Sequence, residues 1–183
     1  MAFALRTRRL LLREWRDDDA APFAAMSADP KVMKFLAPFA DRAAIDAYIA
    51  TARDHLQVYG FGKFAVELPG ETSFIGMIGL DHVRVAVPFA PAIEAVWRLA
   101  PAYWGRGYAL EAARAAIEDG FYRLGLPEIV AYTTDDNRRS RQVMERLGMS
   151  YDASEDFDFL HPRSPRDHPP RQCVLYRLRQ PAP

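Results

Sequence analysis

The sequence predicts an α/β or α+β fold in which strands and helices share one core around a single sheet. Its 183 residues are enough to bury one substantial core and too few for two ordinary domains. Hydrophobic residues make up 50% and charged residues 26% of the chain, which is the balance of a globular protein. Strand-like and helix-like segments alternate without an internal repeat or a low-complexity linker, so we expect one domain over residues 1–183.

The elements of the first sixty residues follow from capping signals. Aspartate favours a helix N-cap, proline suits the first helical turn, and glycine commonly follows the last one. The predicted elements are a strand over residues 6–13, a helix capped by Asp17, Asp18 or Asp19 that continues to residue 26, a short helix starting at Asp29-Pro30, and a longer helix from Asp41 to Gly60.

The remainder of the chain is predicted to hold five strands and two helices. Pro69 and Gly70 mark a turn between the first two of these strands, and we expect a bulge near Gly76 or Gly79. The strands are predicted over residues 61–68, 74–85, 93–99, 128–133 and 173–178, and the helices over 108–124 and 138–147. Residues 152–171 are predicted to form a long loop.

Charge and cysteine content exclude several classes of protein. Acidic and basic residues number 24 each, so bulk electrostatic binding of nucleic acid or of an anionic membrane is not expected. A lone cysteine, Cys173, cannot form an internal disulfide, and neither a signal peptide nor a run of roughly 20 apolar residues is visible. We therefore expect a cytoplasmic protein. The four histidines are scattered in sequence, so no metal site is expected.

The most informative segment joins the predicted strand that ends at Leu99 to the next helix. Gly105 and Gly107 flank Arg106 there, and the helix begins directly afterwards. Glycines allow the backbone to bend and to approach a ligand closely. Free N–H groups at a helix start bind anions, and an arginine could add a cation for phosphate. An ordinary tight turn is the alternative, and the segment lacks both the dinucleotide and the P-loop glycine patterns.

A second motif lies about thirty residues further along, from Asp136 to Met149, with Asn137 as a candidate helix cap. Together the two motifs resemble the GNAT acetyltransferase superfamily. The first is similar to its pyrophosphate loop, with Gly107 and Ala109 in matching places, and the second is similar to its asparagine-containing segment. The sequences of residues 103–109 and 137–141 most resemble those of the ribosomal-protein-alanine N-acetyltransferase branch. The resemblance implies a mixed, mostly antiparallel central sheet flanked by helices.

The resemblance also implies acetyl-CoA as cosubstrate and direct attack by a primary amine, without an acyl-enzyme. Backbone N–H groups of the glycine loop would hold the pyrophosphate, and the N–H of Leu99 would donate to the thioester oxygen. The residues expected to bind the cofactor are Leu99, Trp104, Gly105, Arg106, Gly107, Tyr108, Ala109, Leu110, Asn137 and Ser140.

Catalytic assignments are less direct because Met144 stands where many family members carry the tyrosine that protonates the leaving thiolate. Ser140, one helical turn beyond Asn137, is the candidate donor in its place. Glu94 is the first candidate for the general base, since it lies on the strand beside the expected thioester. Asp156 and Asp158 are the alternatives, with ordinary solvated carboxylates as the competing interpretation.

The acceptor is left open between a protein N-terminus and a small-molecule amine. A basic ribosomal client would favour an acidic acceptor cleft, which Asp152, Glu155, Asp156 and Asp158 could line. A GNAT fold that binds CoA or a partner without catalysis is an alternative of a different class. The hypothesis of a nucleotide-binding module has less support, because the loop lacks a phosphate-binding lysine. A homodimer and a monomer both remain open.

Overall fold

The computed structural model describes residues 3–165 and 167–180, in which nine strands form one sheet with helices against both faces. The strands are β1 (Ala4–Arg6), β2 (Leu11–Arg13), β3 (Lys63–Leu68), β4 (Thr72–His82), β5 (Ile93–Leu99), β6 (Glu128–Thr134), β7 (Ser150–Tyr151), β8 (Phe157–Phe159) and β9 (Arg171–Arg179). The helices are α1 (Ala20–Ala28), α2 (Pro30–Met33), α3 (Arg42–Tyr59), α4 (Tyr108–Tyr122) and α5 (Arg138–Arg146).

The sheet has the order β1-β2-β3-β4-β5-β6-β9-β7, and β8 also pairs with β9. All of these pairings are antiparallel except that of β5 with β6, which is parallel. The expected mixed, mostly antiparallel sheet flanked by helices is therefore confirmed.

Alternation along the strands divides the buried side chains between the two faces of the sheet. Val66 of β3 packs in the same cluster as Ile117 of α4, whereas the neighbouring Ala65 packs with Phe23 of α1 and Ile49 of α3. Successive residues of a strand point to opposite faces. The helix α4 therefore covers one face, and α1 and α3 cover the other, which is the face that Glu94 shares.

Helix ends follow the capping signals at most positions. Asp41 accepts the N–H of Ala44 at 2.8 Å, and Gly60 ends α3 in the left-handed region with φ 69°. Asp29 caps α2 through the N–H of Lys31 at 2.8 Å. Asp19 differs, because its carboxylate makes no cap hydrogen bond to α1. Its two oxygens instead accept hydrogen bonds from the two terminal nitrogens of Arg13.

The predicted strand over residues 6–13 is wrong, because the chain folds back there as a hairpin. The N–H of Thr7 donates to the carbonyl of Leu10 at 2.9 Å, and the Thr7 hydroxyl accepts the N–H of Leu10 at 2.9 Å. A threonine side chain that satisfies a nearby backbone group favours a turn over a continuous ladder. The leucine run concealed this turn in the sequence.

Two further predictions meet mixed outcomes. The register of the β3–β4 pair shifts between Val66, which pairs with Gly76, and Leu68, which pairs with Thr72. Of the two positions expected for a bulge, the irregularity therefore lies beside Gly76 and not at Gly79. The predicted loop over 152–171 contains β8, which pairs with β9 from Phe157 to Phe159. A strand of three residues carries too short an alternation to be recognised in sequence.

A buried ion pair fixes the start of α1 against the sheet. Arg13 Nη1 and Nη2 each lie 2.8 Å from an oxygen of Asp19, and Arg13 Nε lies 2.8 Å from Glu67. The side chains of Arg13 and Asp19 are 5% and 2% exposed. Because α1 carries Phe23, whose ring lies beside Arg98 of β5, this ion pair also helps to position the side chains at that end of β5.

We expect Asp19→Ala to lower the free energy of unfolding by about 3–5 kcal/mol, because it leaves the Arg13 guanidinium buried with one carboxylate removed. Asp18→Ala, at an exposed neighbouring position, is the matched control and should change it by less than about 0.5 kcal/mol. Chemical denaturation of both variants measures the difference. Equal stability of the two variants would contradict the structural role of the pair.

Candidate active site

The sheet opens between β5 and β6. These parallel strands are in register at Glu94 and Val130, and beyond that position they border a cleft of about 1130 Å³. On its other side, β5 pairs with β4 along its whole length. The N–H of Ala100 donates to Ile75 of β4 at 2.9 Å. Since antiparallel residues alternate in direction, the backbone groups of Leu99 and Trp97 point away from β4 and toward the gap.

A glycine turn follows β5 and leads into α4. Gly105 and Gly107 have φ values of 74° and 79°, a region that side-chain-bearing residues rarely adopt. The N–H of Glu111 donates to the carbonyl of Gly107 at 3.0 Å and thereby begins the helical ladder. The backbone N–H groups of the preceding residues have no partner within the helix. They lie at the cleft, which Gly105, Gly107, Tyr108, Ala109 and Leu110 all line.

Arg106 does not line this cleft in the described part of the chain, unlike its neighbours. Its guanidinium carbon lies 5.9 Å from the centre of the Tyr103 ring, and its carbonyl accepts a hydrogen bond from Arg9 Nη1 at 3.0 Å. The turn therefore presents the backbone at Gly105 and Gly107 to the cleft and directs the Arg106 side chain away from it. The binding of phosphate by the Arg106 guanidinium stays a prediction from the sequence.

Arg9 is the basic residue that fastens the turn. Glu111 holds Arg9 twice, through Nε at 2.7 Å and through the backbone N–H at 2.8 Å, and the Arg9 guanidinium lies 4.6 Å from the ring centre of Tyr108. Sequence reasoning missed this role. Arg9 and Arg106 are separated by 97 positions, and no local pattern links them.

Trp104 joins the end of β5 to α5. Its indole N–H donates to the carbonyl of Leu99 at 2.8 Å, and the guanidinium carbon of Arg139 lies 4.3 Å from its ring centre. The carbonyl of Leu99 is one of the groups that point away from β4, so the indole satisfies it at the mouth of the gap. Leu99 and Trp104 both line the cleft, as their assignment requires.

The start of α5 lies on the opposite side of the cleft. Asn137 accepts the N–H of Ser140 at 3.4 Å, which confirms its capping role, and donates through Nδ2 to the Thr133 hydroxyl at 2.8 Å. Asn137 and Ser140 both line the cleft. Met144 is buried with 1% exposure. The structure thus brings the two sequence motifs together on facing sides of one opening.

Glu94 lies at the closed end of the gap, where β5 and β6 still pair. Burial and, to a lesser extent, the nearby Asp81 charge raise the pKa of Glu94 to about 8, against a partial offset from Lys63. A carboxyl group with a pKa near neutrality is suited to exchange protons with an amine. Tyr132 lines the same end, and burial, followed by the Glu94 charge, raises the pKa of its phenol.

Tyr132 is a second residue that the sequence analysis did not single out. The alternation of β6 places Val130, Tyr132 and Thr134 on one face, and Val130 stands beside Glu94 in the parallel pair. That periodicity was a usable signal once the strand pairing was known. Without the pairing, Tyr132 is only an aromatic residue in a strand.

The four acidic residues considered for the acceptor cleft do not line it. Glu155 binds Arg177 at 2.7 Å, Asp156 accepts the hydroxyl of Tyr151 at 3.0 Å, and Asp152 caps the turn at Ser154. On β8 the alternation turns Phe157 inward and the intervening Asp158 outward. The idea of an acidic cleft, and of Asp156 or Asp158 as the base, is therefore wrong.

The charged side chains that line the cleft are mainly basic. Its described lining contains three lysines and five arginines, and Glu94 is its single carboxylate. Phe159, His161 and Arg163, from the segment that matched no motif, contribute to this wall. The cleft is consequently a region of positive potential suited to anionic ligands.

Two of the histidines, although they are far apart in the sequence, are close in space. His55 Nε2 lies 2.8 Å from His82 Nδ1 and 3.2 Å from Asp81. These three residues offer metal-type donor atoms within 4.8 Å of one another. Lys63 Nζ already lies 2.5 Å from the second oxygen of Asp81, so this carboxylate serves an ion pair.

Comparison with known proteins agrees with this geometry. A family described as "Acetyltransferase (GNAT) domain" matches residues 9–150. An N-acetyltransferase of Bacillus subtilis, YnaD, is 32% identical over 146 residues, covering 78% of this chain and 80% of its own. The FsC-acetyl coenzyme A-N(2)-transacetylase of Aspergillus fumigatus is 32% identical over 133 residues, covering 69% of this chain and 56% of its own length.

A solved acetyltransferase from Agrobacterium tumefaciens superposes with a TM-score of 0.76 at 30% identity, covering 97% of this chain and 95% of that one. In the described residues, no helix is both long enough and apolar enough to cross a membrane. The matched family segment contains the glycine turn, both sequence motifs and most of the residues that line the cleft. The chain therefore belongs to the GNAT acetyltransferase family.

Proposed function

We propose that this protein transfers the acetyl group of acetyl-CoA to a primary amine by direct attack within a ternary complex. The observation that carries the proposal is the unpaired backbone of β5, which faces a cleft and continues into a glycine turn at the start of α4. A relative's name includes acetyl coenzyme A, which agrees with this choice of cosubstrate.

Coenzyme A fits the cleft along its length. The pyrophosphate is expected at the free N–H groups from Gly105 to Leu110, where the α4 dipole favours negative charge. The pantetheine arm is expected to run beside β5 as an added strand, pairing with backbone groups that β6 leaves free. In this arrangement the N–H of Leu99 is a donor for the thioester oxygen, and Asn137 contacts the arm from the facing side.

Glu94 is the proposed general base. Its carboxylate form accepts a proton from the ammonium form of the acceptor, directly or through one water, which leaves the neutral amine that attacks the thioester. With a pKa of about 8, this form becomes the majority species only above that pH. The low polarity of its surroundings brings the pKa of the carboxyl close to that of a protein α-amine, roughly 7.7–8.0, so proton transfer between them is nearly balanced.

Ser140 is the proposed donor to the departing thiolate, since the buried Met144 has no proton to give. Tyr132 is an additional hydroxyl at the Glu94 end, and its raised pKa keeps it protonated and able to donate a hydrogen bond. The attack, collapse of the intermediate and release of CoA need no covalent acyl-enzyme.

For the acceptor, a protein N-terminus is supported only by the resemblance to the ribosomal-protein-alanine branch. The basic lining of the cleft favours a small molecule. A non-catalytic CoA-binding protein is the second candidate, and the absence of a tyrosine at Met144 favours it. A cytoplasmic location and a homodimer stay predictions from the sequence.

Calorimetric titration with acetyl-CoA, with ATP and NADH as controls, tests the cosubstrate. Selective binding of acetyl-CoA followed by thiol release with an amine panel would support transfer. Binding without turnover on any amine would favour the non-catalytic alternative, and no binding would refute both.

We expect Gly107→Glu to abolish detectable acetyl-CoA binding, because it forces a side chain into a left-handed position and places a negative charge against the pyrophosphate. Gly125→Glu is the matched control. Gly125 has a similar φ of 68° with open space around it, and it does not line the cleft. Calorimetry on both variants separates backbone strain from loss of the site; retained affinity in Gly107→Glu would refute the loop assignment.

We expect the kcat/KM of the wild-type enzyme to rise with pH through a midpoint near pH 8 and to level off above it, as the raised pKa of Glu94 requires. Glu94→Gln should lower kcat/KM about 100-fold or more at pH 7. The deficit should shrink at high pH, where the amine is neutral without help. Acetyl-CoA affinity should be unchanged.

The exposed Glu118 on α4 provides the control variant, Glu118→Gln, whose pH profile should match the wild-type profile. If Glu94→Gln gave the same reduction at every pH up to 10, the base would have to be another group. Stopped assays of thiol release across this pH range supply the measurement.

Ser140→Ala should lower kcat about 100-fold, in the range typical of a lost general acid, with little change in acetyl-CoA affinity. Single-turnover kinetics measure the chemical step and calorimetry measures the affinity. An unchanged kcat would remove Ser140 from the mechanism. A loss of affinity without a loss of rate would make it a binding residue.

A further inference from the structure

Arg98 occupies an unusual place on β5. It lies two positions beyond Val96 and four beyond Glu94, so alternation directs all three side chains to the same face of the sheet. Arg98 is 8% exposed and lines the cleft. It therefore lies in the wall of the cleft that α1 and α3 cover, on the same face as Glu94.

The guanidinium of Arg98 has no anionic partner among the described residues. Its Nε and Nη1 are buried and make no hydrogen bond there. Arg13, which is 4% exposed, is the instructive comparison, because two carboxylates satisfy it. Aromatic rings lie beside Arg98, with its guanidinium carbon 5.8 Å from the centres of both Phe23 and Phe39.

Neighbouring groups increase the positive charge at this point. Arg163 lies 4.5 Å from the ring centre of Phe39 and lines the cleft together with His161. Burial lowers the pKa of Arg98, and the Arg163 charge lowers it further, while Tyr48 opposes the change. A buried cation beside a second cation is costly unless an anion binds between or against them.

Resting on the acetyltransferase function proposed above, we propose that the acceptor is a small primary amine that carries a carboxylate, and that Arg98 binds this carboxylate. The planar guanidinium offers two parallel donors that match a carboxylate. Because it belongs to the same strand face as Glu94, it can hold the acceptor with its amine directed toward the base.

The spacing limits the size of the acceptor. Four residues of strand place the Cα atoms of Glu94 and Arg98 about 13 Å apart, and both side chains stand on the same face of the sheet. An amino acid or a short peptide with a free carboxylate has suitable dimensions. A polyamine has the wrong charge for a cleft with eight basic residues and one carboxylate, and so does the N-terminus of a strongly basic protein.

The experiment compares matched acceptors. The twenty amino acids, their α-amides and their decarboxylated amines are assayed with acetyl-CoA by thiol release. The amide has the weaker base as its amine and is more often neutral, so intrinsic reactivity favours the amide. We expect the opposite preference, with at least one amino acid favoured over its amide by about 30-fold or more in kcat/KM.

The variant Arg98→Met should reduce this acid-over-amide ratio to near one while acetyl-CoA affinity is retained. Replacing a buried unpaired cation by an apolar side chain of similar length should also leave the melting temperature equal or higher. Arg6→Met, at an exposed position on the edge strand β1, is the control and should keep the wild-type ratio.

Several outcomes would overturn the inference. Amides or decarboxylated amines that are acetylated as well as the acids would refute the carboxylate while leaving the transferase function intact. A preference for an aminoalkylphosphonate over the matched carboxylate would assign the site to a phosphate-type anion. An unaltered ratio in Arg98→Met would refute the role of Arg98.

A binding measurement separates this inference from the function on which it rests. The same acids and amides are titrated into the protein saturated with CoA, which requires no turnover. Binding of acids but not amides, lost in Arg98→Met, supports the carboxylate site even if no amine is acetylated, in which case only the transferase proposal fails. Equal binding of acids and amides overturns the carboxylate site.

Discussion

The architecture of this protein depends on a gap inside its own sheet. At β5 and β6 two parallel strands remain in register at Glu94 and Val130 and then border a cleft. The backbone groups of β5 that face the gap lie in the middle of a protein, where unpaired N–H and C=O groups are unfavourable. A bound extended ligand would supply the missing partners, and the surrounding elements are arranged around that requirement.

Each end of the gap has its own chemistry. At the open end, Trp104 satisfies the carbonyl of Leu99, and the glycine turn exposes N–H groups at the start of α4. Arg9 and Glu111 hold that turn from outside the cleft. At the closed end, burial keeps Glu94 near a pKa of about 8. In the proposed function, anion binding and proton transfer are thus separated along the gap.

Two arginines, Arg13 and Arg98, are buried in this fold, and their surroundings differ in charge. Arg13 is neutralised by Asp19 and Glu67 and stabilises the junction between β2 and α1. Arg98 is equally buried, but aromatic rings and another arginine surround it. Protein stability accounts for the first arrangement and does not account for the second. An unsatisfied buried cation at the wall of a cleft is a departure from good packing of the kind found at functional sites.

The segment over residues 152–171 shows the limits of local pattern most clearly. It contains a short strand, sends its acidic residues to the surface and turns Phe159, His161 and Arg163 toward the cleft. From sequence alone its aspartates and glutamate appeared suited to a basic acceptor. The inward direction of the basic and aromatic side chains depends on how β8 pairs with β9, which no neighbouring residue encodes.

The sequence by itself determined the features that arise within a few residues of one another. These include the caps at Asp29, Asp41 and Asn137, the glycine turn that only residues tolerant of positive φ can form, and the succession of helices and strands. It also identified Glu94 and the two motifs that face each other across the cleft. The tertiary structure decided the hairpin at Thr7, the support of the turn by Arg9, the raised pKa of Glu94 and the isolation of Arg98. Burial and charge at those positions are set by residues far apart in the chain, and they become defined only when the strands are paired and the cleft exists.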